Sequence, residues 1–202
     1  MLTIMKARRI VNGSSEVKLH LGCGRKIKQG WINIDSGQTF RNRAKLDLCC
    51  NLARGIPFPS GTIDFIFHEH LIEHLRRKDG LKLTKECFRV LKPGGILRIA
   101  FPALEDAIAC YQAGYPDYEW YFKIYPNRRG LTPAEIFNFD LRENGEHRHF
   151  YDEQDISKLI VESGFDADMI SFHKVSESSH AAMSGLETRT NNRCVEVVKK
   201  SG

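Results

Sequence analysis

The chain has 202 residues, enough for one well-packed domain and too few for two of ordinary size. Hydrophobic residues at 42% and charged residues at 27% exclude a disordered chain, and no apolar run reaches the ~18–20 residues that a membrane span needs. The net charge of +5 is a mild bias, gathered at Arg41/Arg43, Arg76-Arg77-Lys78 and Arg128-Arg129; it fits solvated faces, with an anionic acceptor or nucleic acid as the alternative.

The first residues, MLTIMKARRIVNGSSEVK, hold no apolar core before a small-residue cleavage site, so no secretory signal is expected. Six cysteines (Cys23, Cys49, Cys50, Cys87, Cys110 and Cys194) form no C-x-x-C pair and read as reduced thiols of a cytoplasmic protein. A first strand is predicted over 17–21 and ends at Gly22-Cys23-Gly24; a second spans 31–35 and a short third 44–48. Residues 64–67 form a fourth, nearly continuous in apolar character, as a strand buried on both faces should be. A helix is expected over 71–91, interrupted near Asp79-Gly80, with Leu83, Cys87, Val90 and Leu91 on one face. Lys92-Pro93-Gly94-Gly95 should stop it and turn the chain into a fifth strand over 96–100. A late helix over 152–163 has Asp152 as N-cap and Gly164 as C-cap, and two further strands are expected over 169–175 and 194–199. Strands alternating with helices predict one α/β domain over 1–202, Rossmann-like, built on a mostly parallel sheet.

Residues 103–146 differ in kind. Tyr111, Tyr115, Tyr118, Trp120, Tyr121, Phe122 and Tyr125 crowd the segment, and Pro116, Pro126 and Pro133 interrupt it. An insertion of this size after a fifth strand reads as a lid or substrate wall within the same domain, its aromatics forming lid core rather than a base-stacking platform.

The HLGCG loop follows a strand, so its backbone N–H groups can approach a ligand. It departs from the dinucleotide fingerprint: Ile27 stands where a third glycine belongs, and Asp35 comes too soon after Gly24 for a full crossover helix. A dinucleotide oxidoreductase is therefore the weakest reading. Asp35 is nonetheless placed to accept from both ribose hydroxyls, and Asp47 from an exocyclic amine, with the Leu48 N–H reaching the ring nitrogen beside it.

The ordered segments LHLGCG, INID, LDL, FPSGTIDFIFHEHLIEHL and LKECFRVLKPGGILRIAFP, with HRHFYDEQDISKLIVESGF later, resemble class I S-adenosylmethionine-dependent methyltransferases, most closely small bacterial members of the type 11 kind. The resemblance implies a seven-stranded sheet with S-adenosylmethionine across the ends of strands one to four. Gly22, Cys23 and Gly24 would line its methionine part, Asp35 the ribose, Asp47 and Leu48 the adenine, and His68 and Glu69 the region of the transferable methyl.

His70, Glu73 and His74 spell the H-x-x-E-H of inverted zinc peptidases. That reading lacks a third ligand on a later helix and a peptidase fold, and the ordered motifs assign the segment elsewhere. On a helix the three residues would share a face and converge on one ion, with His147 or His149 as a further ligand. The segment also resembles the E-x-x-E-H element of ubiquinone-pathway and small-RNA O-methyltransferases, with His70 in place of the first acid. The favoured expectation is metal-free, with Glu73 and His74 as active-site wall. His74, His147 and His149 are the candidate bases, although a histidine at 147 or 149 equally suits capping or packing.

The expected activity is methyl transfer to a small-molecule acceptor, such as a sugar, glycan or metabolite hydroxyl or amine. The alternatives are an RNA methyltransferase and a non-catalytic relative that binds cofactor or a partner.

Overall fold

The computed structural model describes residues 2–36, 46–115, 122, 126, 129–142, 145–190 and 192–201. Helix α1, Leu2–Asn12, leads into β1, Lys18–Leu21. Strands β2, Ile32–Asp35, β3, Leu48–Cys49, and β4, Ile63–Glu69, follow. Next come helix α2, Arg77–Val90, strand β5, Leu91–Phe101, helix α3, Leu104–Gln112, and helix α4, Pro133–Arg142. Helix α5, Glu153–Glu162, and strands β6, Ile170–His173, and β7, Arg193–Val198, complete the described elements.

The described strands make a seven-stranded sheet in the order β3-β2-β1-β4-β5-β7-β6. Strands β1 to β5 are parallel, and β7 runs antiparallel to both its neighbours. The mostly parallel α/β architecture agrees with the alternation read from the sequence. The strand order reverses beside β1, which pairs with β2 on one side and β4 on the other. At such a switch point the crevice outside the carboxyl ends of the strands is the place where open α/β sheets take their ligands. The registers Leu21↔Ile34 and His20↔Phe67 bring Gly22, Asp35 and Glu69 out together along that edge.

Burial on both faces explains the apolar strands. Leu19, Leu21, Ile34, Ile66, Leu97 and Ile99 are all buried in one cluster, against Leu83, Cys87 and Val90 of α2 and Ile156, Leu159 and Ile160 of α5. Burying each such side chain contributes roughly 1.5–3 kcal/mol before chain entropy is set against it.

Several boundaries differ from the sequence expectation. The helix expected over 71–91 begins only at Arg77. His70 adopts left-handed backbone, φ 49, and its N–H donates to Ala100 O at 3.0 Å, so the chain stays tied to β5 one residue beyond β4. A single 3-10 turn, Ile72–His74, then precedes α2. The helix is not broken at Gly80; a Cβ there would lie 2.9 Å from the Tyr151 hydroxyl, so the glycine answers to packing. Lys92-Pro93-Gly94-Gly95 does not form a separate turn. Gly94, at φ 79, donates to Lys199 O at 2.7 Å and Lys199 donates to Gly95 O at 2.9 Å, which draws the segment into β5 as an irregularity between the pairs Ile63↔Leu91 and Phe65↔Ile96. Of the expected third strand, residues 44 and 45 lie outside the described residues, and pairing is seen at Leu48–Cys49. The cap reading of α5 agrees: Asp152 Oδ1 accepts from Asp155 N at 2.6 Å, and Gly164 follows the helix at φ 109.

In the 103–146 insertion, α3 and α4 enclose a small core of their own, with Tyr115 and Ile136 buried among Cys110, Phe122, Leu131 and Phe137. Tyr111 is exposed, its ring 5.3 Å from that of Phe137. Tyr118, Trp120, Tyr121 and Tyr125 lie outside the described residues. On the opposite side of the sheet edge, buried Arg98 pairs through Nη1 with Glu196 Oε1 at 2.6 Å and through Nε with Glu187 Oε1 at 2.5 Å. Ser178 and Ser179 also donate to Glu196, at 2.6 and 3.2 Å, which fixes the 176–187 segment to the sheet. Among the described residues no helix is long and apolar enough to cross a membrane.

Candidate active site

Between β1 and β2 there is no helix, as the short spacing requires; the chain makes turns only. Gly22 and Gly24 have φ 60 and 51, backbone that a side chain would strain. Cys23 N donates to Ile34 O at 3.2 Å and Gly24 N to Asp35 Oδ2 at 3.0 Å, so the loop is clasped to the end of β2. A Cβ at Gly24 would meet nothing within 4 Å, whereas one at Gly22 would lie 2.8 Å from Leu71 Cδ1. The loop is thus open on one side and closed on the other by the turn after β4. Burial, with Asp35 adding to it, pushes the Cys23 thiol up to about 12, so it is no nucleophile at neutral pH.

Asp47 lies one row back from this edge, where its Oδ2 accepts from Asn33 N at 2.8 Å and Asn33 Nδ2 at 3.2 Å. An adenine contact from it would use Oδ1. Leu48 stands opposite Ile34 in the β2–β3 pair.

His68 is buried, and that burial pushes its imidazole down to about 4 against the charge of Glu73, so it is neutral at pH 7. Glu69 faces the segment before β7: Oε1 accepts from Thr188 N, Arg189 N and Asn192 Nδ2 at 2.8, 3.1 and 2.7 Å, and Oε2 from Thr188 Oγ1 at 2.7 Å. Burial would raise its carboxyl, and the Thr188 and Arg189 donors outweigh that and hold it below the usual range. Sequence reasoning missed Thr188, Asn192 and Leu71, since none of them sits in a recognisable pattern.

The turn after β4 brings together residues that are distant in sequence. Glu73 is 1% exposed, and no donor among the described residues is aligned with either of its oxygens. His70 Nδ1 lies 2.8 Å from Glu73 Oε1, off the line of a hydrogen bond, while His70 Nε2 meets Asn192 Oδ1 at 2.8 Å. The Glu73 carbonyl accepts from Arg148 N at 2.7 Å and His149 N at 3.2 Å, which pins the chain at 148–149 beside the turn. As a result one ligand atom each from Glu73, His74 and His147 fall within 4.8 Å of one another, with the two imidazoles 4.9 Å apart between centroids. Burial works against the charge on Glu73, and the neighbouring His70 and His74 outweigh it, keeping the carboxyl below its usual range. His147 Nδ1 is 2.9 Å from Leu141 O, which makes Nδ1 the protonated nitrogen and Nε2 the basic one. His149 turns away: its Nε2 is 2.5 Å from Asp155 Oδ2, and Asp155 Oδ1 accepts from Arg77 Nε at 3.0 Å. The expected trio His70, Glu73, His74 is therefore rearranged, with His147 joining Glu73 and His74 while His70 stands behind the carboxylate.

Residues 19–99 match the family model described as a methyltransferase domain. The matched stretch runs from β1 into β5, the part of the sheet that carries the glycine loop. A "probable S-adenosylmethionine-dependent methyltransferase" of Mycolicibacterium smegmatis is 40% identical over 52 residues, which is 26% of this chain and 19% of that protein. The match thus spans about a fifth of that relative's length. A Thermotoga maritima structure described as a methyltransferase, possibly a histamine N-methyltransferase, superposes with a TM-score of 0.56 at 15% identity, covering 98% of this chain and 89% of that one. Phosphoethanolamine N-methyltransferase 2 of Haemonchus contortus, solved with S-adenosylmethionine, gives 0.51 at 14% identity over 98% and 52% of the two chains. These likenesses establish the fold of class I methyltransferases, and the Haemonchus contortus neighbour holds S-adenosylmethionine in it. The residues present fit that group: the glycine loop is open at Gly24, and the Asp35 carboxylate stands on the β2 edge beside it.

Proposed function

We propose that the chain transfers a methyl group from S-adenosylmethionine to a small-molecule acceptor bearing an ionisable hydroxyl or amine. The observation that carries this reading is the packing of Leu71 on Gly22, which ties the glycine loop to the turn that bears the buried Glu73, grouped with His74 and His147. The backbone of Gly22, Cys23 and Gly24 would line the methionine part, Asp35 the ribose, and Asp47 with Leu48 the adenine side. The cofactor supplies a methyl already activated by its sulfonium, so the protein's task is alignment and exclusion of water. Neutral His68 walls the site without adding a competing charge. Nε2 of His147, oriented through Leu141, or His74 beside it, takes the proton from the acceptor. His149, bonded to Asp155, fits a positioning part. The 103–146 insertion forms the outer wall.

A small acceptor is favoured over RNA by the fate of the basic cluster at 76–78. Arg77 is bound to Asp155 and Glu162, at 3.0 and 2.9 Å, which removes the central cation from phosphate contact. Calorimetry tests the reading first: S-adenosylmethionine should bind once per chain and Asp35→Ala should weaken it about tenfold or more, one lost charged hydrogen bond. Absence of binding, or tighter binding of NADH, would sink it. Release of S-adenosylhomocysteine with an acceptor panel then separates an enzyme from a binding relative. In that assay His147→Ala should lose most turnover and His149→Ala less; equal, near wild-type rates would refute the base assignment.

A further inference from the structure

We propose that Glu73, His74 and His147 form a binding site for one divalent first-row transition ion, beside the acceptor position. Three independent features of the structure converge on it. The first is geometry: one carboxylate oxygen and two imidazole nitrogens lie within 4.8 Å of one another, the span of donors around a shared ion. The second is the state of Glu73, a fully buried carboxylate with no aligned hydrogen-bond donor on either oxygen among the described residues. His70 comes close to Oε1 alone, so among the described residues Oε2 keeps its lone pairs for a cation. The third is the outer support. His147 Nδ1 against Leu141 O turns Nε2 toward the cluster, and His70, held by Asn192 Oδ1, sits 2.8 Å from Glu73 Oε1. Ligating imidazoles and carboxylates are oriented in this way by partners behind them.

Two imidazoles and one carboxylate make a mixed nitrogen and oxygen donor set. It favours zinc over manganese and manganese over magnesium, and it leaves coordination positions open. The role rests on the proposed methyl transfer: an acceptor hydroxyl bound at an open position loses its proton more readily, and His74 and His147 then serve as ligands in place of bases. The site itself stands without that reading.

The test uses the full chain, stripped with a chelator and titrated separately with zinc, manganese and magnesium chloride, with S-adenosylmethionine binding measured on the same material. One zinc per chain is expected, binding more tightly than manganese. Glu73→Gln and His147→Ala should each weaken it about 10–100-fold, while His149→Ala leaves it unchanged. Cobalt substitution gives a second readout, visible absorption bands that His147→Ala shifts. Should a variant fail to fold, an unchanged melting temperature of the unmodified chain on adding zinc counts against the site, since a ligand of the folded state must raise it. Zinc that binds equally well to Glu73→Gln and His147→Ala, or fails to bind at about 1 mM, a Kd too weak for a built site, overturns the proposal. Cofactor binding without zinc leaves the methyltransferase reading standing and this one refuted; zinc without cofactor binding gives the converse.

Discussion

Glu196 and Glu73 are both 1% exposed, yet their surroundings have opposite character. Glu196 is saturated, with Arg98 on one side, two serine hydroxyls on the other, and His173 Nε2 3.3 Å away. Glu73 has His70 2.8 Å from Oε1 and His74 and His147 near by, with no aligned hydrogen-bond donor among the described residues. A buried charge whose lone pairs are all taken holds structure together; one whose partners leave room is built to receive something. The structural pair sits on β5 and β7, and the unsaturated one follows β4 at the ligand edge of the sheet.

The largest expected effect tests the saturated side. Arg98→Leu leaves Glu187 and Glu196 buried without their cation and should cost about 3–5 kcal/mol of stability. Glu73→Gln should cost less, about 1–2 kcal/mol, since it gives up the contact with His70 but leaves no buried cation bare. Urea midpoints at equal slope measure both, and a Glu73 variant less stable than the Arg98 variant would invert the comparison. On the functional side, Glu73→Gln should lower kcat about 100-fold, close to 2.7 kcal/mol, with cofactor affinity kept within about threefold. Equal losses in both quantities would mean that Glu73 merely supports the cofactor loop.

A third expectation concerns acid. Burial pushes His20 down to about 4, against the Asn33 hydrogen bond, and His68 to about 4 as well. The unfolded chain binds these two protons near the ordinary 6.5, whereas the folded one refuses them. Their contribution is therefore complete above about pH 6.5 and lost as the pH falls towards 4, at up to about 1.4 kcal/mol per pH unit for each. Denaturation midpoints between pH 7.5 and 5 should fall accordingly, and His20→Leu should flatten the slope. A flat profile in the unmodified chain contradicts buried neutral imidazoles.

The smallest difference separates two glycines. Gly24→Ala carries only the strain of its left-handed backbone, roughly 1–2 kcal/mol, while Gly22→Ala adds a collision with Leu71 and should also weaken cofactor binding. Identical melting temperatures and affinities for the two variants would mean that the turn after β4 does not bear on the loop.

What was legible in the sequence was whatever is encoded locally. Strands β1, β2 and β4 announce themselves by apolar runs, the Gly22 loop by its glycines, and α5 by Asp152 and Gly164. Boundaries set by tertiary hydrogen bonds were not legible. His70 N–H bonding to Ala100 O delays α2, and Lys199 reaches across to absorb Gly94 and Gly95 into β5. Helix α1 has no acid in its first turn to mark it. For the site, the residue types were visible and their grouping only in part: periodicity placed His70, Glu73 and His74 on a helical face with His147 or His149 as a further ligand, and the 3-10 turn groups Glu73 and His74 with His147 while His70 stands outside.

The strand that comes last in sequence, β7, lies between β5 and β6, and Asn192 just before it holds both Glu69 and His70. During synthesis, the glycine loop, β1, β2 and β4 are therefore all available long before the wall of the site can be braced. A growing chain that has not yet presented residues 192–198 has a place to begin folding but no finished sheet edge beside Glu69 and His70. Such a late, long-range strand insertion slows folding, because loop closure must precede its reward.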